Sequence, residues 1–253
     1  MIMNTMIHVR LRRLLSIIAI GVIIMNAFTL LTGCSVFEAD TAKTVKKMLN
    51  ERYGLDFEVT NMGNRINTGS VTLYCYPKND EDIRFTAVYD YSSKELVDDY
   101  IPRVYARAVD NEISSLCSGV GIAVSSITTF IGANSNELIE CEDINDFISK
   151  SNATKLYILM AVNADDLSTE ENAQHMLSSL ETLSMGYGNI DILAGLFMYH
   201  SDIYNRCSDE LKKATKANDD WFKAYSPISD FTVKIVDGKA QKTASELLIS
   251  AKG

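Results

Sequence analysis

The stretch SVTLYCYP, Ser70–Pro77, decides the fold. Val71, Leu73 and Cys75 fall on one face of an extended chain, and Thr72, Tyr74 and Tyr76 on the other. Strict period-two alternation of this kind predicts a strand with one buried face. Downstream, a polar connector PKNDED leads into DIRFTAVYDY, where Ile83, Phe85, Ala87 and Tyr89 share a face. Upstream, Phe57 and Val59 alternate in DFEVT, and the Asn- and Gly-rich NMGNRINTGS reads as a loop or wide hairpin. Three such segments form an antiparallel meander with one apolar face, and that face needs a cover.

Helical patterns flank the meander. A helix is expected over 41–53, with Val45, Met48, Leu49 and Tyr53 on one stripe, Asp40 as N-cap and Gly54 as its stop. A second is expected over 94–117, opened by the capping-box spacing of Ser92 and Glu95 and kinked or restarted at Pro102. The rhythm then changes. Strands are expected near 122–131, 155–162, 190–199 and 231–239, and helices near 143–150, from the Ser168/Glu171 capping box to 184, over 202–223, and after Thr243/Glu246. KLYILMAV (155–162) is apolar almost throughout, the pattern of a strand buried on both faces. The expected class is α+β: a helix packed on an antiparallel meander and followed by a second helix over 41–118, then an alternating strand/helix α/β sandwich over 119–253, either a domain of its own or the second half of one domain.

The first half is similar to the cystatin-like and PepSY-like modules of exported bacterial proteins. The likeness rests on Lys46–Gly54 running into Phe57–Val59, then Val71–Pro77 and Ile83–Asp90. It implies a fold and an interaction role, and it brings no catalytic residues with it.

The first forty residues address a different question. Arg10, Arg12 and Arg13 precede an uncharged run from Leu14 to Leu31, which at about 1.5 Å per residue would reach roughly 27 Å. A basic start followed by an apolar run is the layout of an export signal, with the rest of the chain on the far side of the membrane. An uncleaved anchor helix would give the same topology. Leu31-Thr32-Gly33-Cys34 resembles the bacterial lipobox. That resemblance implies a bacterial lipoprotein: Cys34 receives a diacylglyceryl group, cleavage follows Gly33, residues 1–33 are lost, and residues 34–40 are a lipidated tether. Two acyl chains give stable anchoring where one is marginal. The expected location is the cell membrane, facing the extracytoplasmic side.

The chain carries a formal charge of −9, and loss of the first 33 residues, with three Arg and no acid, takes it to −12. Nucleic acid is not an expected partner, because phosphate binding needs clustered Lys and Arg. Lys43, Lys46 and Lys47 form a small basic exception beside the tether. Cys75, Cys117, Cys141 and Cys207 leave three possible pairings into two disulfides, and the in-phase position of Cys75 favours a small buried hydrophobe. No zinc spacing, Walker loop, nucleophile elbow or calcium loop occurs, so no cofactor or metal is expected. Asp165 and Asp166 read as acids entering a helix N-terminus. His175 and His200 are the histidines after the export signal; His200 with Asp202 or with Cys207 would be a thin basis for catalysis. Thr72, Tyr74 and Tyr76 form a candidate binding ledge, since tyrosine suits recognition. The expected function is non-enzymatic binding of an unknown protein or envelope partner by a membrane-tethered module. The alternative is a cell-surface hydrolase with a dispersed active site.

Overall fold

The computed structural model describes residues 39–64, 69–133 and 141–251. Gly33, Cys34 and the tether up to residue 38 lie outside the described residues, while the expected tether's last two residues, 39 and 40, are already helical. Two compact units divide the chain, Met1–Met48 and Leu49–Gly253. Helix α1 covers 39–53, so it begins before Asp40, which is already helical and is not its cap. It stops as expected at Gly54, whose φ of +68° closes the helix while its N–H donates to Asn50 O.

In the second unit the class is α+β, as the alternation requires. Strands β1 (Phe57–Asn64), β2 (Ser70–Pro77), β3 (Phe85–Asp90) and β4 (Leu96–Asp98) form an antiparallel meander in that order. Val71, Leu73 and Cys75 are buried while Thr72, Tyr74 and Tyr76 are half-buried, so the opening stretch holds its predicted phase. Phe57, Phe85 and Tyr100 meet over this face with ring centroids 5.1–5.6 Å apart, joined by Tyr53 from the last turn of α1.

Strand β4 replaces the predicted start of the second helix. Ser92 caps nothing: its hydroxyl and N–H, with the N–H of Ser93, turn onto the Asp90 carboxylate. Leu96 and Asp98 point inward instead. The Asp98 carboxylate accepts from Arg52 Nη1 at 2.5 Å, Tyr53 OH at 2.7 Å and Tyr100 N at 3.1 Å. A buried charge needs such partners, and these three pin the strand. Helix α2 then runs from Tyr100 to Ser118. Pro102 sits in its first turn, where no intrahelical N–H is missed, so of the expected kink or restart at Pro102 it is the helix start that occurs.

The remaining elements are β5 (Val124–Ile131), α3 (Ile144–Ser151), β6 (Lys155–Asn163), a 3₁₀ turn (Ala164–Leu167) and α4 (Glu170–Gly186). They are followed by β7 (Asp191–Tyr199), α5 (Ser201–Leu211), α6 (Asp219–Lys223), β8 (Ser229–Val236), β9 (Lys239–Ala240) and α7 (Ala244–Ala251). The five strands form a second sheet in sequence order, mixed because β6 and β7 pair in parallel across the α4 crossover. Helix α4 is capped by Thr169, one residue later than expected, through Asn172 N. The Thr243–Glu246 box opens α7 as predicted, with Glu246 N on Thr243 Oγ1 and Thr243 N on Glu246 Oε2. The Asp237-Gly238 turn joins β8 to β9 with both residues at positive φ, the geometry a two-residue hairpin requires.

Strand β6 confirms its apolar reading. Leu156, Ile158, Met160 and Val162 enter the core beneath α2, α3, α4 and α7, and Leu159 and Ala161 enter the opposite core beneath α5 and α6. The predicted helix over 202–223 is two helices: α5 ends at Leu211, and α6 starts afresh at Asp219, capped by Asn218, whose side chain accepts from Trp221 N.

Candidate functional site

A cleft of about 400 Å³ opens beside β5. Its walls are the first turns of α2 and the 215–217 segment between α5 and α6. Asp99, just before α2, is fixed by β3, since its Oδ1 accepts from Thr86 N at 2.5 Å and its own N–H donates to Thr86 O. Arg103 reaches across the cleft floor. Its Nε donates to Arg84 O at 3.2 Å and its Nη1 to Thr128 O at 3.1 Å, so one guanidinium links the lead-in of β3 to β5. Two helical turns on, the buried Asp110 accepts from Ser126 Oγ at 2.8 Å and Thr128 Oγ1 at 2.7 Å. Arg107 pairs with Asp82 at 3.3 Å.

Burial governs the ionisation of Asp110 and Arg103. Removal from water pushes the Asp110 carboxyl up to about 6, against the opposing pull of Arg103, Thr128 and Ser126. Burial likewise lowers the Arg103 guanidinium, opposed by Asp110 and Asp99. Around these charges the cleft is apolar, with Pro102, Ala106, Ile127, Phe130, Ala133 and Ala217 in its lining. Lys216 stands at the wall, exposed and with no ion pair or hydrogen bond among the described residues.

Apart from Pro102, read as a helix kink or restart, none of these residues was singled out by sequence. A signal for two of them was present: Arg103 and Asp110 interrupt the otherwise apolar stripe of Ala106, Val109, Ile113 and Cys117. A charge on a buried stripe has to be paired, and that marks it for attention. Lys216 was hidden by the reading of a continuous helix.

The residues picked from sequence lie elsewhere. Tyr74 and Tyr76 share the outer face of β2 with Thr72, and Arg84 lies over the Tyr76 ring at 4.6 Å. Val88 and Val97, exposed at 38% and 48%, extend this face across β3 and β4. The four cysteines are free thiols, Cys141 half-buried and the others buried. His200 pairs with Asp165, Nδ1 to Oδ1 at 3.3 Å, rather than with Asp202 or Cys207. Ser201 Oγ donates to the same carboxylate at 2.6 Å. The hydroxyl and the imidazole thus share one acceptor and do not bond each other, which is the geometry of a helix-start clamp and not of a nucleophile beside its base. Asp166 accepts from Ala123 N at 2.9 Å. His175 lies half-buried on α4, with Nδ1 unpartnered among the described residues. No group of three metal-ligating side chains occurs among the described residues, and no helix there is long and apolar enough to cross a membrane.

The chain is similar in fold to a crystal structure of a DUF5037 family protein from Ruminococcus gnavus ATCC 29149. The two agree with a TM-score of 0.64 over 84% of this chain and 98% of that one, at 16% identity. At that identity the likeness is one of fold. No family model matches the chain, and no curated protein matches it in sequence.

Proposed function

We propose that the chain is a bacterial lipoprotein, cleaved after Gly33, lipidated on Cys34 and held on the extracytoplasmic side of the cell membrane, where its folded part binds a partner. The sequence supports the anchor through the basic start, the apolar run and Leu31-Thr32-Gly33-Cys34. The observation that carries the binding role is the cleft beside β5. Its volume falls in the range of small-ligand sites, ~300–1,000 Å³. Its lining combines apolar side chains with a few fixed polar groups, and among the described residues contains Thr128, Thr129 and Thr215 but no Cys, His or Ser.

The intact mass of the membrane-extracted protein tests the anchor: the cleaved, diacylated form is expected for wild type and the full-length unmodified chain for Cys34→Ala. A wild-type mass equal to the unprocessed chain refutes it. Capture from native membranes after mild crosslinking tests the binding role, and turnover of an ester or peptide panel, lost in His200→Ala, would establish the hydrolase instead.

A further inference from the structure

Strand β5 is an edge strand of the five-stranded sheet. On its inner side, Ala123 O accepts from Asn163 N at 3.0 Å, so odd-numbered residues turn their backbone groups toward β6. Even-numbered residues therefore turn theirs outward, because antiparallel pairing alternates. Helix α2 meets that outward edge with side chains: Ser114 Oγ donates to Val124 O and Arg103 Nη1 to Thr128 O. These two bonds occupy the outward carbonyls of Val124 and Thr128 on an edge that would otherwise recruit another strand. The next outward-facing residue is Phe130. Its backbone N–H and C=O face out of the sheet at the cleft, with no partner among the described residues.

We propose that the cleft binds a short extended peptide bearing a carboxylate, which pairs its backbone with Phe130 as an added strand. Strand addition draws its affinity from main-chain hydrogen bonds and its selectivity from side-chain pockets. Three extended residues span about 10 Å. The apolar lining of Pro102, Ala106 and Ala133 takes a side chain, and Lys216 takes the carboxylate. Charge favours that assignment. In a chain of net charge −9, the cleft places Arg103 and Lys216 against the single acid Asp99. Arg103 and Asp99 already hold protein partners, and Lys216 holds none among the described residues.

This inference rests on the cleft being the binding site, and the test separates the two. Isotope-labelled full-length protein in detergent micelles is titrated with an equimolar mixture of Ala-Xaa-Ala tripeptides, Xaa apolar, carrying free carboxylates. Parallel titrations use the C-terminally amidated mixture, the mixture N-methylated at the central residue, and benzoate. The Phe130 amide resonance is expected to move downfield saturably with the free-acid mixture. Amidation, or Lys216→Ala with the free acids, raises Kd about tenfold, the worth of about 1.4 kcal/mol. Lys216 is exposed, so its replacement leaves the fold intact. An unmoved Phe130 amide, or an equal shift with the N-methylated mixture, overturns strand addition. If benzoate moves the cleft residues and the peptides do no more, the binding cleft stands and the peptide does not. If no probe moves them, both readings fall.

Discussion

Replacing Asp110 with asparagine should make the protein more stable at neutral pH. Asp110 is buried between α2 and β5, and its Oδ1 accepts from two hydroxyls. Asparagine keeps an oxygen in that position and never ionises. The carboxyl moves from 3.8 to about 6 on folding, because burial disfavours its charged form more than Arg103, Thr128 and Ser126 favour it. Between those two values the folded chain holds a proton that the unfolded chain has released. Stability from this group is therefore fully present below pH 3.8 and is lost as pH rises through about 6. A shift of roughly two units corresponds to about 3 kcal/mol. Urea unfolding of the full chain in detergent at a series of pH values reads this directly. At pH 4 wild type and Asp110→Asn should unfold alike. At pH 7.5 the variant should be more stable by up to about 3 kcal/mol, or roughly 6–12 °C in melting temperature for a chain of this size. Asp110→Ala should be worse than either, since it strands the Ser126 and Thr128 hydroxyls at about 1–3 kcal/mol each. A pH-independent difference between wild type and Asp110→Asn, or an asparagine variant that is weaker at pH 7.5, refutes the reasoning.

Thiol titration gives a second check. Burial pushes Cys75 up to about 12 and Cys117 and Cys207 up to about 11, so in the native protein Cys141 should react first with a thiol reagent. Denaturation under non-reducing conditions should then expose four reactive thiols if Cys34 carries lipid and five if it does not. Phe147 stacks on Tyr105 at 4.7 Å and meets Phe130 edge-on at 4.9 Å. Phe147→Ala should cost about 3–5 kcal/mol in urea unfolding, and a cost below about 1 kcal/mol would contradict its place in the core. Gly195 is opposite Leu159, and an added Cβ would come within 2.9 Å of Leu159 Cδ2. Gly195→Val should therefore lower the melting temperature, and an unchanged value would count against this packing.

The local signals were legible wherever the stabilising contact is itself local. The alternation of Ser70–Pro77, the apolar run of β6, the Thr243–Glu246 box and the Asp237-Gly238 turn are fixed by neighbours within a few residues. Reading failed where two local rules competed. Ser92 and Glu95 have capping-box spacing, yet Asp90 captures Ser92 first. Asp202 is the nearer acid to His200 in sequence, yet Asp165, 35 residues away, is its partner in space.

Sequence by itself therefore determined the α+β class, the phase of the first sheet and the two-sided burial of β6. Tertiary structure alone decided that 96–98 is strand, because Arg52 neutralises Asp98 from 46 positions away. It alone decided the cleft as well. Arg103 must reach Arg84 and Thr128, 19 and 25 positions distant, and the chain must break before Asn218 for Lys216 to stand at the wall. Periodicity records which face of an element is dry. It carries no record of which distant charge will be brought to that face, because that pairing is set by how the elements pack.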